Sequence, residues 1–173
     1  MADRIWAGWR MQYVAGLKDG VCVFCDRPTQ PPENDDANLI MRRDARCFIM
    51  MNRYPYSNGH LMIIPYEHAA SLVDLPRAVL HEMIHLTQLC EQVLQQVYAP
   101  DGFNIGINLG AAAGAGIANH LHMHIVPRWV GDSNFITTLG NVRVIPEFLE
   151  DTYRRLKPVF ESLSAAGSKR ELR

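Results

Sequence analysis

Between Asn119 and Trp129 the chain reads NHLHMHIVPRW, with histidines at 120, 122 and 124 and an apolar residue after each. Imidazole changes charge near neutrality, binds transition metals through a lone pair and serves as a nucleophile or proton donor. In an extended strand, residues two apart share a face. His120, His122 and His124 therefore form one row, and Leu121, Met123 and Ile125 the other. The apolar row predicts the core side. The histidine row is expected to face a cleft or solvent, because three adjacent imidazoles are costly to bury without partners. A three-histidine zinc site is one reading, but same-face positions on a strand lie roughly 7 Å apart. All three could reach one ion only if the row bent around it, so a mixed site using one of them is easier to build.

Other residues could share such a site. Cys22 and Cys25 stand in GVCVFCDRP, a CxxC pair with zinc-knuckle spacing whose plainer reading is two free thiols. The first strand histidine could supply a third ligand and another histidine the fourth. Cys47 and Cys90 stand alone and read as small buried hydrophobes. His81-Glu82-Met83-Ile84-His85 matches HExxH, the zinc-protease motif. Yet His81, His85, Gln88, Gln92 and Gln95 recur at helical steps as a polar stripe, which favours a solvated face over a catalytic one. Residues 106–116, GINLGAAAGAG, are rich in residues with little or no side chain. They lack the GK[ST] ending of a P-loop and precede a strand rather than a helix. A flexible turn whose backbone N–H groups can approach a ligand remains, with a plain small-residue loop as the alternative.

The elements that must position these residues follow from patterning. Short apolar runs at 39–43, 47–51 and 60–65 predict strands, with Asn58-Gly59 as a turn signal. Residues 75–97 carry a helical period, with Val79, Met83, Leu86, Cys90, Val93 and Val97 on one face and Pro76 in the first turn. Residues 103–109 and the histidine stretch predict two further strands, and 146–163 a C-terminal amphipathic helix. Strands interrupted by one central helix indicate an α+β fold with a mainly antiparallel sheet. Residues 1–37 read as an irregular arm whose Ile5, Trp6, Trp9, Met11, Tyr13 and Val14 need a surface to bury against.

The 173 residues suit one domain, 1–173, divided into the arm at 1–37, a core at 38–130 and an extension at 131–173. Apolar residues make up 48% and charged residues 20%, ordinary for a globular chain. Lys plus Arg number 17 against 18 for Asp plus Glu, which argues against broad electrostatic binding of nucleic acid. There is no signal-peptide core and no membrane-length apolar run, so a cytoplasmic protein without membrane partners is expected.

Taken together, these residues resemble the histidine triad (HIT) superfamily of nucleotidyl hydrolases and transferases. Its signature, His-φ-His-φ-His-φ-φ with φ apolar, is matched by His120-Leu121-His122-Met123-His124-Ile125-Val126. The upstream MNRYPYSNGHLMIIPYEH also looks like the family, and the likeness covers roughly residues 20 to 130. The resemblance implies a HIT-like fold in which His122 is a nucleophile that attacks an α-phosphorus and forms a covalent nucleotidyl-histidine. It implies that His124 and His60 lie around the phosphate, that Asn52 contacts the ribose, and that Asn108, Ala115 and Gly116 belong to a phosphate-binding loop. It further implies a structural Zn2+ held by Cys22, Cys25, His68 and His120. No catalytic metal is implied, and Mg2+ arriving with the substrate is compatible with the set.

The arm IWAGWRMQYV and the tail PRWVGDSNFITTLGNVRVIP are similar to a bacterial subgroup described as diadenosine tetraphosphate phosphorylases. One departure stands out: many family members carry Gln, Ser or Thr just before the triad, where this chain has Gly116, Ile117 and Ala118. That leaves the acceptor, phosphate or water, open. The expected activity is cleavage of adenine dinucleoside polyphosphates. The alternatives are a nucleoside phosphoramidate hydrolase acting on an AMP derivative and a nucleotide-binding module without useful catalysis. A homodimer is expected by analogy, with a tetramer as the other assembly.

Overall fold

A computed structural model describes residues 21–132 and 145–167. The aromatic arm residues Ile5 to Val14 and much of the tail motif lie outside these. Five strands form one sheet: β1 (Ile40–Arg43), β2 (Cys47–Met51), β3 (Leu61–Pro65), β4 (Gly102–Ile107) and β5 (Met123–Arg128). Their order is β1-β2-β3-β5-β4, and every neighbouring pair is antiparallel. Among the described residues four α-helices accompany them: α1 (Val23–Asp26), α2 (Asp35–Asn38), α3 (Arg77–Tyr98) and α4 (Leu149–Gly167). The fold is α+β with a central and a C-terminal helix, as expected. Among the described residues no helix is long and apolar enough to cross a membrane.

Both faces of the central strands are covered, which is why β2 and β3 read as unbroken apolar runs. Alternation divides their side chains. Cys47, Ile49, Met51, Leu61, Ile63, Met123 and Ile125 join the main core, where Val79, Met83, Leu86, Cys90 and Val93 of α3 meet Leu156 and Phe160 of α4. Each such fully buried aliphatic side chain contributes about 1.5–3 kcal/mol. Phe48, Met50, Met62 and Ile64 point to the opposite face, where Ile40 and Phe24 close over them. The α3 stripe thus follows the predicted period, with Thr87 and Leu94 also buried. Cys47 and Cys90 are inert core thiols. Burial, reinforced for Cys47 by Glu82, pushes Cys47 up to about 12, and burial raises Cys90 as well.

Specific contacts tie α3 to the sheet, to the 52–60 turn and to α4. Glu82 Oε1 accepts the N–H groups of Arg46 and Cys47 at 2.7 and 2.9 Å, anchoring the start of β2 to α3. Gly59 adopts φ +72°, and a Cβ there would sit 2.8 Å from Leu94 Cδ2 and 3.1 Å from Tyr98 Cε2. Only glycine lets the 52–60 turn pass so near α3 in this conformation. Glu147 accepts the hydroxyl of Tyr98, that of Thr152 at 2.8 Å and the Arg155 guanidinium at 2.8 Å, fastening α4 to the end of α3.

Two expectations are corrected. The described part of the arm is not irregular: α1, two 3-10 turns (Arg27–Thr29 and Pro32–Asn34) and α2 follow one another. Prolines 28 and 32 occupy the opening positions of those turns, where a fixed φ and a missing N–H cost nothing. Arg43 secures them by pairing with Asp35 at 2.7 Å and donating to the carbonyls of Pro28 and Gln30 at 2.7 and 3.0 Å. The histidine stretch is also not strand throughout, since β5 begins only at Met123. Before it, the Leu121 N–H donates to the Ala69 carbonyl at 2.7 Å, drawing this segment toward His68.

Candidate functional site

The histidine row does not face solvent. His120, His122 and His124 are 0%, 5% and 9% exposed, and His60 is 1% exposed. Of the two expected surroundings, cleft or solvent, open solvent is ruled out: the CxxC turn, arriving from far away in sequence, covers His120 and His122, and Tyr56 and His60 pack against His124. Phe24 on α1 places its ring 5.5 Å from His120 and 5.0 Å from His122, centroid to centroid. Each imidazole has a partner that makes burial tolerable, and those partners give His122 the opposite tautomer to His120, His124 and His60.

His120 donates from Nε2–H to the Pro65 carbonyl at 2.9 Å. Its lone pair therefore lies on Nδ1, which sits 3.4 and 3.5 Å from the sulfurs of Cys22 and Cys25. His122 donates from Nδ1–H to the His120 carbonyl at 2.9 Å, which leaves its lone pair on Nε2. His60 Nδ1 accepts the Tyr56 backbone N–H at 3.1 Å and also lies 3.4 Å from the Asn52 amide nitrogen. His60 Nε2 consequently carries the proton and donates it to His124 Nδ1 at 2.9 Å. That bond fixes the remaining His124 proton on Nε2. The His122 and His124 ring centroids are 4.8 Å apart, so a ring with a lone pair on Nε2 neighbours one with an Nε2–H to donate.

Burial favours the neutral form of the three triad rings. It lowers His122 and His120, and it pushes His124 from 6.5 to about 4, with the nearby His122 adding to the effect. At neutral pH His122 is thus an uncharged imidazole with a lone pair available, the form in which imidazole attacks an electrophile.

A second constellation adjoins the first. One ligand atom from each of Cys22, Cys25, His68 and His120 lies within 4.8 Å of the other three. The Cys25 sulfur is 3.1 Å from His68 Nδ1, and with the two His120 contacts these spacings approach the roughly 3.6 Å edge of a tetrahedron with zinc-like bond lengths. Two sulfurs and two imidazole nitrogens are a soft, borderline donor set that suits zinc. The Pro65 carbonyl holds His120 in the tautomer that presents Nδ1, as outer partners of metal-bound histidines do. Burial, followed by the adjacent Cys22, pushes the Cys25 thiol up to about 11, a direction a bound cation would reverse.

The other expected site residues are less tightly assembled. Asn52 stands beside His60, and its Oδ1 accepts the Tyr54 N–H at 2.9 Å. Asn108, Ala115 and Gly116 lie on the β4–β5 loop, where Asn108 is half-buried and Gly116 exposed. Ala115 donates its N–H to the Gly110 carbonyl at 3.4 Å, within its own loop. The HExxH match forms no site: His81 and His85 are exposed, and Glu82 caps β2. Sequence reading passed over Phe24, Tyr56 and the Pro65 carbonyl. Tyr56 packs its ring 4.6 Å from His60 and 5.8 Å from His124. An aromatic residue inside the CxxC was the one visible signal for Phe24.

The chain is similar to several known proteins. Residues 33–130 match the family described as HIT domain. The chain is 41% identical over 164 residues to "AP-4-A phosphorylase" of Mycobacterium tuberculosis, covering 89% of this chain and 82% of that protein. It is 34% identical over 107 residues to "Adenylylsulfatase HINT3" of Arabidopsis thaliana, covering 62% and 52% of the two chains. Among solved structures, a zinc-bound histidine triad family protein from Mycobacterium smegmatis superposes with a TM-score of 0.65 at 28% identity, covering 84% of this chain and 96% of that one.

Proposed function

We propose a reaction from one established premise: the chain belongs to the HIT-domain family. It cleaves an adenine dinucleoside polyphosphate such as diadenosine tetraphosphate through a covalent nucleotidyl-His122, with inorganic phosphate as the acceptor. The observation that carries this reading is the tautomer pattern, which makes His122 Nε2 the basic nitrogen and His124 Nε2–H its neighbouring donor. The similarity to the mycobacterial phosphorylase supports the substrate class.

In the first step His122 Nε2 attacks the α-phosphorus. An N–P bond forms, the bond to the bridging oxygen breaks, and ATP leaves. His124 Nε2–H donates to the phosphoryl oxygens as charge builds on them. His60 holds that donor in place rather than touching the phosphate itself, because its Nε2–H is already given to His124. In the second step a phosphate oxygen attacks the same phosphorus, the N–P bond breaks and ADP is released, returning the lone pair to His122. Asn52 contacts the ribose, and Asn108 with the backbone at Ala115 and Gly116 borders the phosphates.

Zn2+ would be held by Cys22, Cys25, His68 and His120, where it would supply structural cross-linking and no chemistry on the substrate. We read residues 38–130 as the core, flanked by the arm and the extension, and the assembly as a homodimer. Incubation with diadenosine tetraphosphate tests the function. ADP plus ATP formed only with phosphate present is the expected result. AMP plus ATP without phosphate would make water the acceptor, and no turnover would contradict the substrate.

A further inference from the structure

The residue between the two cysteines links the two constellations. Phe24 is 3% exposed and sits on α1, a single turn that starts directly after Cys22 and contains Cys25. The Cys25 and Asp26 N–H groups donate to the Cys22 carbonyl at 3.0 and 2.9 Å, so the turn moves as one piece with its cysteines. The Phe24 side chain leaves that turn toward the sheet, packs with Ile40, Phe48, Met50, Met62 and Ile64, and lays its ring on His122 at 5.0 Å with an interplanar angle of 57°.

The covalent bond from Cβ and the Nδ1–H bond to the His120 carbonyl set the plane of the His122 ring, and the residues packed against it limit how far the ring tilts and shifts within the tolerance of that hydrogen bond. His124 lies to one side at 4.8 Å and Phe24 is a second neighbour. A nucleophile displaced by about 1 Å can lose on the order of a hundredfold in rate.

We propose that Phe24 is a positioning residue that transmits the order of the Cys22–Cys25 turn to the His122 ring, so that filling the Cys/His cluster prepares the nucleophile without touching the substrate. The inference rests on the reading of His122 as nucleophile and of the cluster as a zinc site. Phe24 contributes no group to the reaction. Its effect falls on kcat, because the ring acts on His122 rather than on the nucleotide.

The test uses the full chain, Zn2+ as the only added metal, and two variants. Phe24→Ala removes the ring, and Phe24→Leu keeps apolar bulk. With diadenosine tetraphosphate and phosphate, Phe24→Ala should lower kcat about tenfold and Phe24→Leu about threefold, with KM changed less than about twofold. Nitrogen NMR of the imidazole rings gives a readout independent of turnover. In the wild type, His122 should show one tautomer whose signals move when Zn2+ is added. In Phe24→Ala the Nδ1–H tautomer should persist, because the His120 carbonyl still holds it, but the Zn2+-induced shift of the ring signals should shrink, while calorimetry shows that Zn2+ still binds. Should Phe24→Ala fail to fold, the smaller kcat loss and weakened ring response of Phe24→Leu carry the same test. His122 signals that respond to Zn2+ equally in wild type and variant, or Zn2+ that does not bind, overturn the coupling. A folded wild type that turns over no nucleotide contradicts the functional reading instead, and the ring signals still decide the coupling.

Discussion

Mild acid should destabilise this protein through its buried histidines. Burial and the neighbouring His122 bring His124 from 6.5 down to about 4, and burial lowers His122 in the same direction. In the unfolded chain both rings regain an ordinary proton affinity near 6.5. Between those values the unfolded chain holds a proton that the folded chain refuses. Stability is therefore complete above about pH 6.5 and falls as the pH drops toward about 4. A decade of proton affinity is worth about 1.4 kcal/mol. The whole His124 contribution is then about 3 kcal/mol, of which about 2 kcal/mol is lost by about pH 5. Carboxylates protonate mainly below about pH 4.5, so this interval belongs to the histidines. Urea unfolding at a series of pH values measures the effect, with His124→Gln as the comparison. The amide can still accept from His60 Nε2–H and gains no proton. Its stability should fall about 2 kcal/mol less than that of the wild type between about pH 7 and 5. A wild-type midpoint that stays flat over this interval, or that falls equally in His124→Gln, refutes the reasoning.

Other perturbations separate support from chemistry. Glu82→Ala removes the acceptor of two backbone N–H groups at the start of β2 and should cost about 2–3 kcal/mol in unfolding experiments. Its kcat should stay within about twofold of wild type; a collapse of kcat at unchanged stability would return Glu82 to a catalytic role. His60→Ala deprives His124 of its donor and should lower kcat about tenfold at nearly constant KM, with His60→Gln recovering part of the loss. Equal rates in the two variants would contradict the relay. Zn2+ binding should release protons near neutral pH, because Cys25 is held protonated up to about 11 in the metal-free site. Calorimetry in buffers of different ionisation enthalpy reads this release, and metal uptake without it would argue against thiolate ligation.

Much of the architecture was legible because local patterns and the fold agree. Val79, Met83, Leu86, Cys90 and Val93 recur at helical spacing and are buried on α3, while β2 and β3 read as apolar runs because both their faces are covered. The alternation at 120–125 correctly separated a histidine side from a core side. What covers the histidine side was not legible. That depends on Cys22 to Cys25 folding back across the sheet, a contact between residues almost a hundred positions apart that no local period encodes. The spread of tautomers was hidden for the same reason, since it is set by the Pro65 and His120 carbonyls and the Tyr56 N–H. Glu82 shows the converse case. Its five-residue motif resembled chemistry, while its carboxylate caps a strand.

The central claim is that His122 becomes covalently nucleotidylated. Rapid mixing with diadenosine tetraphosphate in the absence of phosphate, alkaline denaturing quench and mass spectrometry of the intact and digested protein test it directly. The account predicts an added adenylyl group on His122, lost when phosphate is supplied and never formed in His122→Ala. Turnover without any adduct, an adduct on another residue, or undiminished activity in a folded His122→Ala would contradict it.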